Sequence, residues 1–135
     1  GAGTYSFFEA TISGDAYLAG NNPSANSIAF INGGGNDFLA LFDPDIVIPD
    51  EFANLVEYGP AVAAAGATNL ITAAATLDAA GVNYILVSNL PNLGATPFVQ
   101  MAELAPEGAG VGSIAQATAL SSGLNQLLSI GAGNT

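Results

Sequence analysis

Leu77-Asp78-Ala79-Ala80-Gly81-Val82-Asn83-Tyr84-Ile85-Leu86-Val87-Ser88 joins the end of an Ala-rich stretch to a short apolar run through a single glycine. Upstream, residues 61–80 set Val62, Leu70, Ile71, Ala74 and Leu77 on one helical face, in a composition that favours helix. Gly81 stands where a helix C-terminus needs left-handed backbone. Asn83 to Ser88 then has the length and content of a buried strand, as does Ser27-Ile28-Ala29-Phe30-Ile31-Asn32 before the helix. Strand, long helix, glycine, strand is a βαβ pattern. An α/β fold with a parallel sheet is expected.

Further out, Asn21-Asn22-Pro23-Ser24 marks a turn. The only bulky cluster before it is Tyr5, Phe7 and Phe8, which reads as core. Asp43 to Glu51 is rich in proline and acid and reads as a surface loop. Asp50 is placed to cap a helix through Phe52, Leu55 and Val56, which Gly59-Pro60 should interrupt. A last helix starts at Ser113, which forms a capping-box pattern with Gln116. It presents Ile114, Ala117, Leu120, Leu124, Leu127 and Leu128, and Gly131 should end it. No repeat or domain boundary interrupts residues 1–135.

Composition removes whole classes of function. The 135 residues are 50% hydrophobic, with 11 acids, no Lys, Arg, His or Cys, and a net charge of −11. Nucleic acid and anionic membrane surfaces both select for basic residues, so neither is an expected partner. Without Cys or His there is no disulfide, thiolate nucleophile, zinc–thiolate site or imidazole base. No uninterrupted apolar run reaches the ~18–20 residues of a membrane helix, and no integral span is expected. Average usage would put on the order of fifteen Lys and Arg in such a chain. Their absence suits an acidic extracellular protein, or a piece left by a protease that cuts after Lys and Arg. Gly1 follows no basic or apolar leader, and the chain reads as one internal segment of something longer.

Chemistry is best sought at Gly33-Gly34-Gly35-Asn36-Asp37, at the end of the first strand. Loops at the carboxyl ends of parallel strands bind ligands in open α/β sheets. Glycine lets backbone amides approach a substrate, and Asn adds two uncharged N–H donors. Such donors suit an oxyanion hole. The same residues also suit a tight strand-to-helix turn with no chemistry. Asp43, Asp45, Asp50 and Glu51 are an oxygen-rich set that could hold Ca²⁺, although without EF-hand spacing, and a solvated loop is the simpler reading. Glu103 and Glu107 read as surface acids, and Asn22-Pro23-Ser24 fails as a glycosylation acceptor because of its proline.

Phe30-Ile31-Asn32-Gly33-Gly34-Gly35-Asn36-Asp37-Phe38-Leu39 resembles the Gly-x-Asn-Asp block of the SGNH hydrolases, also called GDSL esterases and lipases. Leu77 to Pro97, ending Asn89-Leu90-Pro91-Asn92-Leu93-Gly94-Ala95-Thr96-Pro97, is similar to that family's helix–Gly–strand segment. Leu120 to Leu128, with Asn125, is similar to the helix after it. The order and spacing fit the secreted and autotransporter branch over roughly residues 15–130. The resemblance implies an SGNH-type parallel sheet, an ester substrate, Asn36 as the oxyanion-hole donor and Gly34 as the glycine that admits substrate. Asp37 would hold the loop. The family's nucleophile block is represented only by Ser13-Gly14-Asp15-Ala16, without the attacking serine, and its His is absent. The chain alone is therefore not expected to hydrolyse esters.

A parallel sheet without its first strand leaves an apolar edge, so the segment is not expected to keep a parental fold unaided. Ser27–Asn32, Ile46–Ile48 and Asn83–Ser88 are short, β-prone and uncharged. They raise a second expectation, an all-β, cross-β filament core in which the chain self-associates into an extracellular amyloid-like fibre. Stacking eleven carboxylates in register without a cation opposes that state unless the acids lie outside the core.

Overall fold

The structure is a computed structural model that describes Leu18 and residues 21–43, 45–104 and 113–133. The first strand, β1 (Ile28–Ile31), is followed by a six-residue helix, α1 (Gly35–Ala40), and then by a 25-residue helix, α2 (Leu55–Ala79). β2 (Tyr84–Val87) leads to a 3-10 turn (Leu93–Ala95), a short helix α3 (Pro97–Glu103) and a 21-residue helix α4 (Ser113–Gly133). The strands pair in parallel, with Ile28 opposite Tyr84 and Ile31 opposite Val87. The βαβ expectation is met, with most described residues in helices rather than in the all-β alternative. Ile46–Ile48 is not a strand, and the two β-prone runs pair with each other.

α2 joins the two expected helices into one, starts later than an Asp50 cap would place it, and is capped by a different residue. Asn54 is the cap: its Oδ1 accepts from the Val56 amide at 2.9 Å and the Glu57 amide at 3.2 Å. Glu57 reaches back to the Ala53 amide at 3.0 Å, so two side chains satisfy the helix entrance that Asp50 was expected to serve. Gly59-Pro60 does not break the helix. Pro60 lies in its second turn, and the bond it cannot make would have gone to the carbonyl of Val56, a residue 71% exposed and open to water. On the outer face Thr68, Thr72 and Thr76 each donate to the carbonyl four residues back, at 2.7–2.9 Å. These threonines satisfy their hydroxyls within the helix. Gly81 ends it as expected, at φ +99°.

The core lies between α2, α4 and one face of the sheet. α2 turns Gly59, Ala63, Gly66, Ala67, Leu70, Ala73 and Leu77 inward: Leu70 and Leu77 of the expected face are buried, whereas Val62, Ile71 and Ala74 are only half-buried and smaller residues take the remaining inward positions. Small residues let α4 come close. A Cβ on Gly59 would lie 3.0 Å from Leu120 Cδ2, and one on Gly66 3.7 Å from Leu124 Cδ1. Leu120, Leu124 and Leu128 supply the bulk that α2 lacks. An 18-residue window of α2 has a mean hydropathy of 1.3, long and apolar enough by length and composition to cross a bilayer; interleaved Gly, Thr and Asn hide this from a search for unbroken runs. Here α2 is the helix that contacts α1, α4 and both strands.

Among the described residues, the sheet is covered on one side only. Ala29, Ile31, Ile85 and Val87 pack inward, whereas Ile28, Phe30, Tyr84 and Leu86 are between 58% and 71% exposed and face one another in register. Parallel sheets ordinarily bury both faces. α3 was not foreseen, although its signature is legible: Thr96 caps it and Pro97 opens it, the favoured residues at those two positions.

Candidate functional site: the carboxyl ends of the two strands

At the end of β1 the chain turns sharply through Gly34, which lies in the left-handed region at φ +91° and caps α1. A Cβ on Gly33 would sit 3.0 Å from Leu70 Cδ2, and one on Gly34 3.3 Å from Leu124 Cδ2. The loop backbone is therefore pressed onto α2 and α4. Phe38, 2% exposed, anchors the helix that follows. Asn36 stands in the first turn of α1 and is exposed; its side-chain amide makes no hydrogen bond to any described residue. Two neutral N–H donors thus face solvent at the carboxyl end of a parallel strand. Asp37 is half-buried beside it.

β2 ends alongside. The Ser88 amide donates to the Ile31 carbonyl at 2.9 Å, so the two strands finish together. The Ser88 hydroxyl oxygen is buried and has no hydrogen-bond partner. An orphaned buried hydroxyl costs about 1–3 kcal/mol. Ser88→Ala is therefore expected to leave unfolding free energy unchanged or raise it by about 1 kcal/mol in urea titrations followed by circular dichroism. A clear loss of stability would show that this hydroxyl is hydrogen-bonded in solution.

The segment after β2 is held by polar side chains of α4. Asn125 binds both backbone groups of Leu90: its Oδ1 accepts from the amide at 2.7 Å and its Nδ2 donates to the carbonyl at 2.8 Å. Ser121 Oγ accepts from the Leu93 amide at 3.1 Å and donates to the Ala117 carbonyl at 2.8 Å. Thr118 donates to Asn92 Oδ1 at 3.0 Å, and the same oxygen accepts from the Gly94 amide at 2.9 Å. Gly94 is required here. A Cβ would overlap Thr118 Oγ1 and lie 2.5 Å from the Ile114 carbonyl oxygen, an atom of the α4 backbone that cannot step aside. From the sequence, Asn125 stands out only through a family resemblance, and this clamp is not foreseen. Its signal was the spacing of Thr118, Ser121 and Asn125, three and four residues apart along a helix otherwise valued for its leucines.

Other expectations change. Ser113 is already the first helical residue of α4 rather than its cap, and the Ile114 amide donates to Glu103 Oε2 of α3 at 2.8 Å. α4 runs past Gly131 to Gly133. The four acids considered for Ca²⁺ do not come together, and no group of three or more acids able to hold a metal occurs among the described residues. Asp43 instead turns its Oδ1 to the Asp45 amide at 2.8 Å, and Asp50 and Glu51 are exposed in the turn closed by the Phe52 amide on the Pro49 carbonyl. Tyr5, Phe7, Phe8, Ser13-Gly14-Asp15-Ala16 and Glu107 lie outside the described residues.

No protein-family model matches the chain, and no solved structure matches it. Over 82 residues it is 39% identical to a Pseudomonas putida protein described as an uncharacterized protein in the trpE–trpG intergenic region. That similarity covers 60% of this chain and 12% of the length of the Pseudomonas protein.

Proposed function

We propose that this chain carries the oxyanion-hole portion of a secreted, SGNH-type carboxylic-ester hydrolase, acting at or outside the cell surface. The observation that supports it best is the left-handed turn at Gly34, which ends a parallel strand and leaves the Asn36 amide exposed and unengaged. In this reading the Asn36 Nδ2 donates to the oxygen that becomes negative as an ester carbonyl is attacked, and the glycine loop leaves room for the acyl group. Neutral donors need no proton exchange during the step. The attacking serine and its base are not among these residues: the chain has no His, and its Gly-Asp pair is followed by Ala16. In this reading a longer polypeptide supplies them.

The test is a polypeptide that joins this chain to upstream Gly-Asp-Ser and downstream Asp-x-x-His blocks. Asn36→Ala in that enzyme is expected to lower kcat for a short p-nitrophenyl ester by about 10²–10³-fold with little change in KM. An unchanged kcat would remove Asn36 from the mechanism. Residues 1–135 alone should give no turnover above buffer.

Self-association is the second reading, and the open face of Ile28, Phe30, Tyr84 and Leu86 favours it. As an amyloid-like fibre it would require α2 and α4 to convert to strand, which a ~4.7–4.8 Å meridional reflection would report.

A further inference from the structure

A second concave site lies away from the glycine loop. Between α2 and β2 is a groove of about 340 Å³, which α4 reaches through Ala132 near its C-terminus. Ile71, Ile85 and Val87 form its apolar walls, Ala132 closes one end, and Asp78 and Asn83 stand at the rim. The closure is tight, since a Cβ on Gly131 would lie 2.6 Å from Ile71 Cδ1.

Its electrostatics have one sign. A helix carries the negative end of its dipole at its C-terminus, and both long helices deliver that end to this groove. Neither has a basic residue in its last turn to offset it. Asp78 adds a full negative charge, and the sequence holds no Lys, Arg or His with which to pair it. No side chain of the protein can supply a cation here. A bare Ca²⁺ would need six to eight oxygen ligands, which one carboxylate and one amide do not provide. The apolar walls instead suit a hydrocarbon body of a few carbons, and the volume is within the range of small-molecule pockets.

We propose that this groove binds small organic cations, an alkyl chain against Ile71, Ile85 and Val87 with its ammonium group at Asp78. The site is independent of the ester-hydrolase reading. Hexylammonium chloride is the probe, with hexanol and methylammonium as its apolar and charged halves. Titration of the 135-residue protein, followed by ¹H–¹⁵N NMR, should give saturable shifts at Ile71, Asp78, Ile85 and Val87. Hexylammonium should bind at least 10-fold more tightly than either half. Asp78 is exposed, so Asp78→Asn should keep the circular dichroism spectrum and reduce hexylammonium to the affinity of hexanol. Ten carboxylates remain in that variant, which separates the site from diffuse attraction to the net charge. Equal affinity for hexanol and hexylammonium, an unaffected Asp78→Asn variant, or no saturable shift would each overturn the proposal.

Discussion

Asn125→Leu is expected to lower the unfolding free energy by about 2–6 kcal/mol, because it strips partners from two backbone groups at once. The Leu90 amide and carbonyl both bond to the Asn125 side chain, at 2.7 and 2.8 Å, and Leu90 is only 6% exposed. Each orphaned group costs about 1–3 kcal/mol when water cannot reach it. Leucine fills similar space, so the loss would report hydrogen bonding rather than a cavity. Urea denaturation followed by helical circular dichroism gives the number. A loss below about 1 kcal/mol would mean that water enters and replaces both bonds. The effect should extend beyond Leu90. Ser121 and Thr118 of the same helix bond Leu93 and Asn92, the next polar anchors along that segment.

How far the sequence reveals this fold follows from which forces are local. β1, β2, Gly81 and the central helix are legible because apolar runs and helix-ending glycines act over a few residues. The start of α2 is not, because Asn54 and Glu57 compete with Asp50 for the same role and only the backbone path decides between them. Pro60 misleads for a similar reason: its penalty depends on whether the Val56 carbonyl can reach water, which is a tertiary fact. Leu70 and Leu77 of the inward face of α2 are legible, but Ala63, Gly66 and Ala67 are not, because bulk, not closeness, marks a core residue in a sequence. Alanine and glycine win those positions only because Leu120 and Leu124 fill the space from the other side.

The candidate site divides in the same way. Gly33 to Asn36 stands out because a run of three glycines after a strand marks a sharp turn, although the sequence does not separate a plain strand-to-helix turn from a ligand loop. The side chains that hold the neighbouring loop come from a helix some thirty residues away, and no local pattern links them to Leu90 or Leu93. The four acids near residues 43–51 show the opposite failure. They are close in sequence, but Asp43 and Asp45 share an Asx turn, Asp50 and Glu51 lie in a separate turn after Pro49, and no three of them come together.

Leu124→Ala ties the core to that glycine turn and is expected to cost about 3–5 kcal/mol. Leu124 is 0% exposed, and its two methyl groups face different elements: Cδ1 lies against Gly66 of α2, and Cδ2 against Gly34. Neither glycine has a side chain that could move into the space left behind. The cavity should therefore collapse poorly, which places the cost at the upper end of the range for buried leucine. Gly34 loses the surface that presses its left-handed turn into place. Amide exchange at Gly35, Asn36 and Asp37 should accelerate more than exchange at the far end of α2 near Leu77 when both are compared under native conditions. Uniform acceleration would mean that the mutation lowers only global stability and that the turn does not rely on Leu124. Preferential acceleration would make the α2–α4 packing a determinant of how rigidly Asn36 is presented, a control on any oxyanion role that a substitution at Asn36 itself could not reveal.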